Sequence, residues 1–116
     1  MSARRWLPPA LWAALILVLT SIPSPPESPG GLPHLDKVVH VLLYAGQGWL
    51  VARALRSRRP RTLAIALGII AAFAALDEWH QSFLTRQPDV LDWIADTVGA
   101  SIGVALASRV RDVEAA

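Results

Sequence analysis

A chain of 116 residues that is 53% hydrophobic, with a mean hydropathy of +0.41, is too apolar for an ordinary soluble domain; one membrane domain over 1–116 is expected. The absence of cysteine excludes a disulfide framework, a thiolate zinc site and a cysteine nucleophile. The net charge is only +2, and Arg53, Arg56, Arg58, Arg59 and Arg61 crowd together between apolar segments, which reads as a membrane loop and not as a nucleic-acid surface.

In chain order, Arg4 and Arg5 precede an apolar run, 6–22, in which Pro8 and Pro9 suit a helix start. At about 17 residues the run reaches the lower limit for crossing a bilayer. Basic residues before a short apolar stretch also describe a signal peptide. Ser21-Ile22-Pro23 makes a poor cleavage site, so a retained first helix is expected. From Pro23 to Leu35, five prolines and two glycines enforce a loop, with His34 read as solvated. Three longer apolar segments follow, 36–55, 62–81 and 90–108. At 1.5 Å per residue each covers about 30 Å, the thickness of a hydrocarbon core. The expected fold class is therefore all-α, a polytopic membrane protein built as a four-transmembrane-helix bundle.

Orientation follows from the flanks. With both termini on one side, that side holds nine arginines, and the other holds Lys37 and Arg86. The positive-inside bias makes the N and C termini cytoplasmic. The start of the second helix, the end of the third and the start of the fourth then share the outer face, and most of the polar residues within the spans sit at those ends.

In the second helix Asp36, His40, Tyr44 and Gln47 recur at spacings of four, four and three, forming one stripe with Lys37 on its flank. In the third, Asp77, His80 and Gln81 are expected on one face, with Glu78 to one side. In the fourth, Asp89, Asp92, Asp96, Gly99 and Gly103 form a stripe of carboxylates leading into a small-xxx-small glycine pair, expected to pack closely on the second or third helix, with Gly46 and Gly48 as plausible partners, or on a second copy of the chain. Simpler readings exist for single residues: Asp36 and Asp89 as helix caps, Lys37 snorkelling, His40 as a hydrogen-bonded core histidine. Capping does not explain Asp96, two turns inside its helix, or Asp77 and His40 at depth. Ionisable groups there are functional candidates by default, and a shared polar pocket is expected.

These residues resemble the VanZ-like family of bacterial membrane proteins. The match runs over 36–103: Asp36, Lys37, His40 and Tyr44 at one helix start, then Asp77, Glu78, Gln81, a loop arginine at Arg86, Asp92, and the spaced Gly99 and Gly103. The chain departs from the pattern at Asp96, where asparagine is common, and at Leu84-Thr85, where Pro-Gly is common. The resemblance implies a multi-pass protein of the bacterial cytoplasmic (inner) membrane, connected through its named member with reduced susceptibility to glycopeptides such as teicoplanin.

The leading functional expectation is a pocket binding an envelope lipid, a peptidoglycan precursor or a glycopeptide. Lys37 and Arg86 would hold an anionic group, and Asp36, Tyr44, Gln81, Asp92 and Asp96 would complete the lining. The alternative is a membrane-embedded hydrolase or transferase with His40, Asp77 and Glu78 as catalytic candidates. His40, His80 and several carboxylates are adequate ligand types for a divalent metal in a variant of that enzyme. No HExxH, GxSxG or phosphate-loop spacing occurs, however, so no metal and no cofactor are expected. A transporter is disfavoured, because the inner halves of the third and fourth helices carry almost no polar residue. A homo-oligomer is compatible with four short helices.

Overall fold

A computed structural model describes residues 2–21, 35–81 and 90–115. The elements are a 3-10 turn, Ser2–Trp6, running directly into α1 (Leu7–Ser21), then α2 (Leu35–Leu55), α3 (Pro60–Gln81) and α4 (Val90–Ala115). They form the expected helical bundle. Three helices are long and apolar enough to cross a membrane, over Lys37–Leu55, Pro60–His80 and Val90–Val110. The first, at 15 residues, falls short of the ~20 that a perpendicular crossing takes.

Two boundaries differ from the sequence reading by two residues or more, and the other ends agree to within one. Helix α3 starts at Pro60, not residue 62. Proline suits the first helical position, where its missing N–H costs nothing, and Leu63 N–H already bonds the Arg59 carbonyl at 3.0 Å. Helix α4 passes residue 108 and continues to Ala115, adding a polar turn beyond the apolar span. The α2–α3 connection is tight: Arg56 takes a left-handed φ of 54° just after α2, as helix-ending residues often do, and Ser57 Oγ accepts the Arg59 N–H at 3.2 Å.

Helices α2 and α4 form the spine of the bundle. Gly99 and Gly103 lie directly on the α2 backbone, where added Cβ atoms would collide with the Val41 and Ala45 carbonyls; Gly48 meets Ala100 of α4 in the same way. The glycine pair thus packs within the chain, on α2. Gly46 faces α1, and a Cβ there would come within 2.7 Å of the Trp12 ring. Around this spine Ile16, Tyr44, Ile70, Ala74 and Ala100 form one core cluster, and Ala52, Val104 and Ala107 a second. Outward residues such as Leu42, Ile69 and Leu76 are more than 60% exposed, the expected surface of a bundle solvated by lipid.

Two tryptophans clamp neighbouring helices. Trp12 donates Nε1–H to the Leu43 carbonyl at 2.7 Å, joining α1 to α2. Trp93 donates to the Ala71 carbonyl at 2.9 Å, joining α4 to α3. Trp93 is half-buried, while Trp79 is exposed. Trp93→Phe keeps the ring and removes the donor. It is expected to destabilise by about 1 kcal/mol, the usual worth of one hydrogen bond, and to lower the thermal midpoint in detergent by a few degrees. An unshifted midpoint would show that the clamp contributes nothing.

Candidate functional site

At one end of the bundle the finish of α1, the start of α2, the finish of α3 and the start of α4 come together. Buried there are Thr20, His40, Asp77, Glu78, Asp92 and Asp96, with Tyr44 just beneath. Lys37 stands at the edge, its side chain 21% exposed. Six of these eight side chains can carry charge in a setting where each unpaired ion costs several kcal/mol, so their pairing decides whether the arrangement is stable.

The pairing runs through two chains of contacts. On the α2–α4 side, His40 Nδ1 lies 2.6 Å from Asp96 Oδ1, both groups buried. With Asp96 ionised, and so able only to accept, this contact takes the proton of Nδ1 and leaves Nε2 facing the other way. There Nε2 lies 3.8 Å from Asp92 Oδ2, beyond hydrogen-bond length, while Asp92 Oδ1 is held by Lys37 Nζ at 2.8 Å. The second oxygen of Asp96, Oδ2, is fully buried with no hydrogen-bond partner among the described residues. On the α1–α3 side, the Thr20 hydroxyl lies 2.9 Å from Asp77 Oδ1 and equally near the Ile16 carbonyl; the Tyr44 hydroxyl is 3.5 Å from Asp77 Oδ2. Tyr44 is fully buried, its ring tilted 46° against Phe73.

Helical phase explains which side chains enter. Along α2, His40, Tyr44 and Gln47 are all buried, as their stripe requires. Gln47 lies below the cluster, beside an apolar cavity of about 320 Å³ that Val51, Ile70 and Phe73 also line. Along α4, Asp92, Asp96, Gly99 and Gly103 are buried on one face, so the glycine contact with α2 carries both carboxylates to His40 and Lys37.

Helix α3 departs from the expectation. Its inward arc is defined by Ala66, Ile70 and Ala74, and both Asp77 and Glu78 fall inside it. His80, expected beside Asp77, sits roughly 100° from the centre of that arc and is exposed. Glu78, expected to one side, is instead a member of the cluster. One ligand atom each from His40, Glu78 and Asp92 all lie within 4.8 Å of one another, although no metal-ligand spacing is visible in the sequence. Those three residues come from three different helices.

Thr20 was not anticipated. The first helix lies outside 36–103, where the residues carry the resemblance, yet it contributes a hydroxyl to Asp77. The available signal was a lone threonine at the end of an otherwise apolar run. Asp36 and Gln81 lie in α2 and α3, but their side chains, like Arg86, Asp89 and His34, are outside the described residues.

A family model described as VanZ/LLP1 matches residues 6–111, all but the first five and last five positions. No curated protein and no solved structure matches the chain.

Proposed function

The chain belongs to the VanZ/LLP1 family, and from that membership together with the buried cluster we propose that it is a membrane protein binding a polar envelope component in a pocket facing outward from the bacterial inner membrane. The observation that carries this reading is the convergence of polar side chains from all four helices at one end of an otherwise apolar bundle. A purely structural role would be served more cheaply by apolar packing, because buried ion pairs seldom stabilise relative to hydrophobic replacements. Lys37, partly exposed and oriented by Asp92, is the described cation best placed to meet an anionic group on a lipid-linked precursor, a peptidoglycan stem or a glycopeptide. Arg86, in the segment before α4, would add a planar donor pair. The arginine bias supports termini inside and the cluster outside.

Expression in a teicoplanin-sensitive bacterial host is expected to raise the inhibitory concentration, and Arg86→Ala to return it to the vector level at equal membrane abundance. Full protection by Arg86→Ala would remove the anion-binding part of this reading.

The His40–Asp96 contact favours a second reading, an enzyme acting on the same component. A histidine oriented by a buried carboxylate through Nδ1 presents Nε2 as a general base. Transfer or hydrolysis of a lipid-linked substrate by purified protein, lost in His40→Ala with ligand binding preserved, separates catalysis from binding.

A further inference from the structure

We propose that His40 Nε2, Glu78 and Asp92 Oδ2 are ligands for one divalent transition-metal ion, with Zn2+ or Mn2+ as the fitting class.

Three observations converge on it. First, ligand atoms from His40, Glu78 and Asp92 lie within 4.8 Å of one another, and all three residues are buried. Ligands about 2.1 Å from a shared ion sit about 3.4 Å apart in a tetrahedral arrangement. The 3.8 Å between His40 Nε2 and Asp92 Oδ2 is close to that spacing and too long for a hydrogen bond. A pair at the 4.8 Å limit must close by about 1.4 Å, within reach of side-chain rotation.

Second, the neighbours of the three residues hold them as metal ligands are usually held. Asp96 takes the Nδ1 side of His40 at 2.6 Å, so that an ionised Asp96 would hold the Nδ1 proton and leave the Nε2 lone pair on the side of Asp92. A carboxylate behind a ligating histidine is the common arrangement in zinc proteins. Lys37 occupies Asp92 Oδ1 at 2.8 Å, setting the rotation of that carboxylate and leaving Oδ2 for the centre. Without a cation or a proton between them, the Nε2 lone pair and Asp92 Oδ2 would face each other with like partial charge.

Third, the donor set selects the ion. One imidazole with two carboxylates suits Zn2+ or Mn2+, whereas Mg2+ and Ca2+ prefer all-oxygen shells, and the chain has no thiolate to draw a softer metal. Three protein ligands leave at least one coordination position open to water or to a phosphate or carboxylate oxygen. The ion would thereby offset two of the negative charges in a cluster whose described members include four carboxylates, Asp77, Glu78, Asp92 and Asp96, and put a local positive centre where an anionic group could bind. The inference thus deepens the envelope-binding reading, while metal occupancy itself can be measured with no envelope component present.

The test uses the full chain purified in detergent through a tag without histidines, stripped with chelator, and titrated with Zn2+ and separately with Mn2+. One ion per chain is expected, with Zn2+ or Mn2+ bound at least tenfold more tightly than Mg2+. Glu78→Gln, nearly isosteric, and His40→Ala are each expected to weaken binding by more than tenfold. Asp96→Ala, acting through His40, should weaken it about 10–100-fold. His80→Ala, exposed on the flank of α3, should bind as the parent does. Absence of stoichiometric binding by both ions would overturn the proposal, as would binding that survives Glu78→Gln with helicity unchanged, or binding lost in His80→Ala. If metal binds as described while the teicoplanin phenotype is absent, the metal site stands and the envelope reading falls.

Discussion

Gly103→Leu is expected to abolish recovery of folded, monodisperse protein, and Gly103→Ala to lower its thermal midpoint steeply. A Cβ on Gly103 collides with the Ala45 carbonyl and comes within 2.7 Å of the Trp49 backbone nitrogen. Backbone atoms of a packed helix cannot rotate aside, so relief requires α2 and α4 to separate. Overpacking typically costs about 1–3 kcal/mol, and a clash against backbone sits at or above the top of that range. A domain with about 5–15 kcal/mol of total stability survives the alanine only narrowly, and the leucine not at all. Gly99→Ala should behave like Gly103→Ala, because its Cβ meets the Val41 carbonyl. Gly68→Ala is the control with the opposite sign: nothing lies within 4 Å of its Cβ, and alanine is favoured over glycine in a helix by about 1 kcal/mol. Recovery of Gly103→Leu and thermal unfolding of the three alanine variants in one detergent decide the matter. Equal midpoints for Gly103→Ala and Gly68→Ala would mean that the α2–α4 contact is not the spine of the bundle.

The second large effect is expected at Asp96, where asparagine and alanine should differ sharply. The side chain is fully buried, with Oδ1 on His40 Nδ1 at 2.6 Å. Asp96→Asn keeps an oxygen to accept the Nδ1 proton, and asparagine is the residue that the family pattern often carries there. It is expected to preserve both the fold and any ligand response. Asp96→Ala removes the acceptor, leaves a void and strands His40 in a buried position. Loss of a hydrogen bond to a charged group costs about 1.5–3 kcal/mol, and the imidazole is then free to turn Nε2 away from Asp92. The expected outcome is a folded but weakened protein without ligand response, checked by thermal unfolding alongside the susceptibility assay. Full activity in Asp96→Ala would show that the orientation of His40 is irrelevant to function.

The helices and their shared polar end were legible because apolar length and charged flanks are properties of single segments. The α2 and α4 stripes were legible as well, since spacings of three and four put His40, Tyr44, Asp92 and Asp96 on defined faces. What failed depended on a third body. The α3 face could be phased either way from its end residues alone; alanines at 66 and 74 with Ile70 fixed it, admitting Glu78 and excluding His80. Trp93 has the composition of an interfacial residue, and only the nearness of the Ala71 carbonyl makes it a clamp. Thr20 was hidden because one hydroxyl in an apolar run looks the same whether it meets a carboxylate or its own helix backbone. The three residues within metal-binding reach of one another, His40, Glu78 and Asp92, share no local spacing, since α2, α3 and α4 each contribute one.

That distribution over the chain has a consequence for biogenesis. Lys37 and His40 are synthesised long before Asp92 and Asp96, so α2 leaves the insertion machinery with polar groups whose partners are still on the ribosome. A charged side chain costs a nascent span about 2.5–3.5 kcal/mol at the bilayer centre and less toward its end, where Lys37 stands. The contacts to Asp92 and Asp96 form when the fourth helix arrives and packs its glycines on α2. Cluster formation is thus the last act of co-translational assembly, and a chain truncated before residue 90 would hold α2 in the membrane with its cations uncompensated by α4, a ready substrate for membrane quality-control proteases.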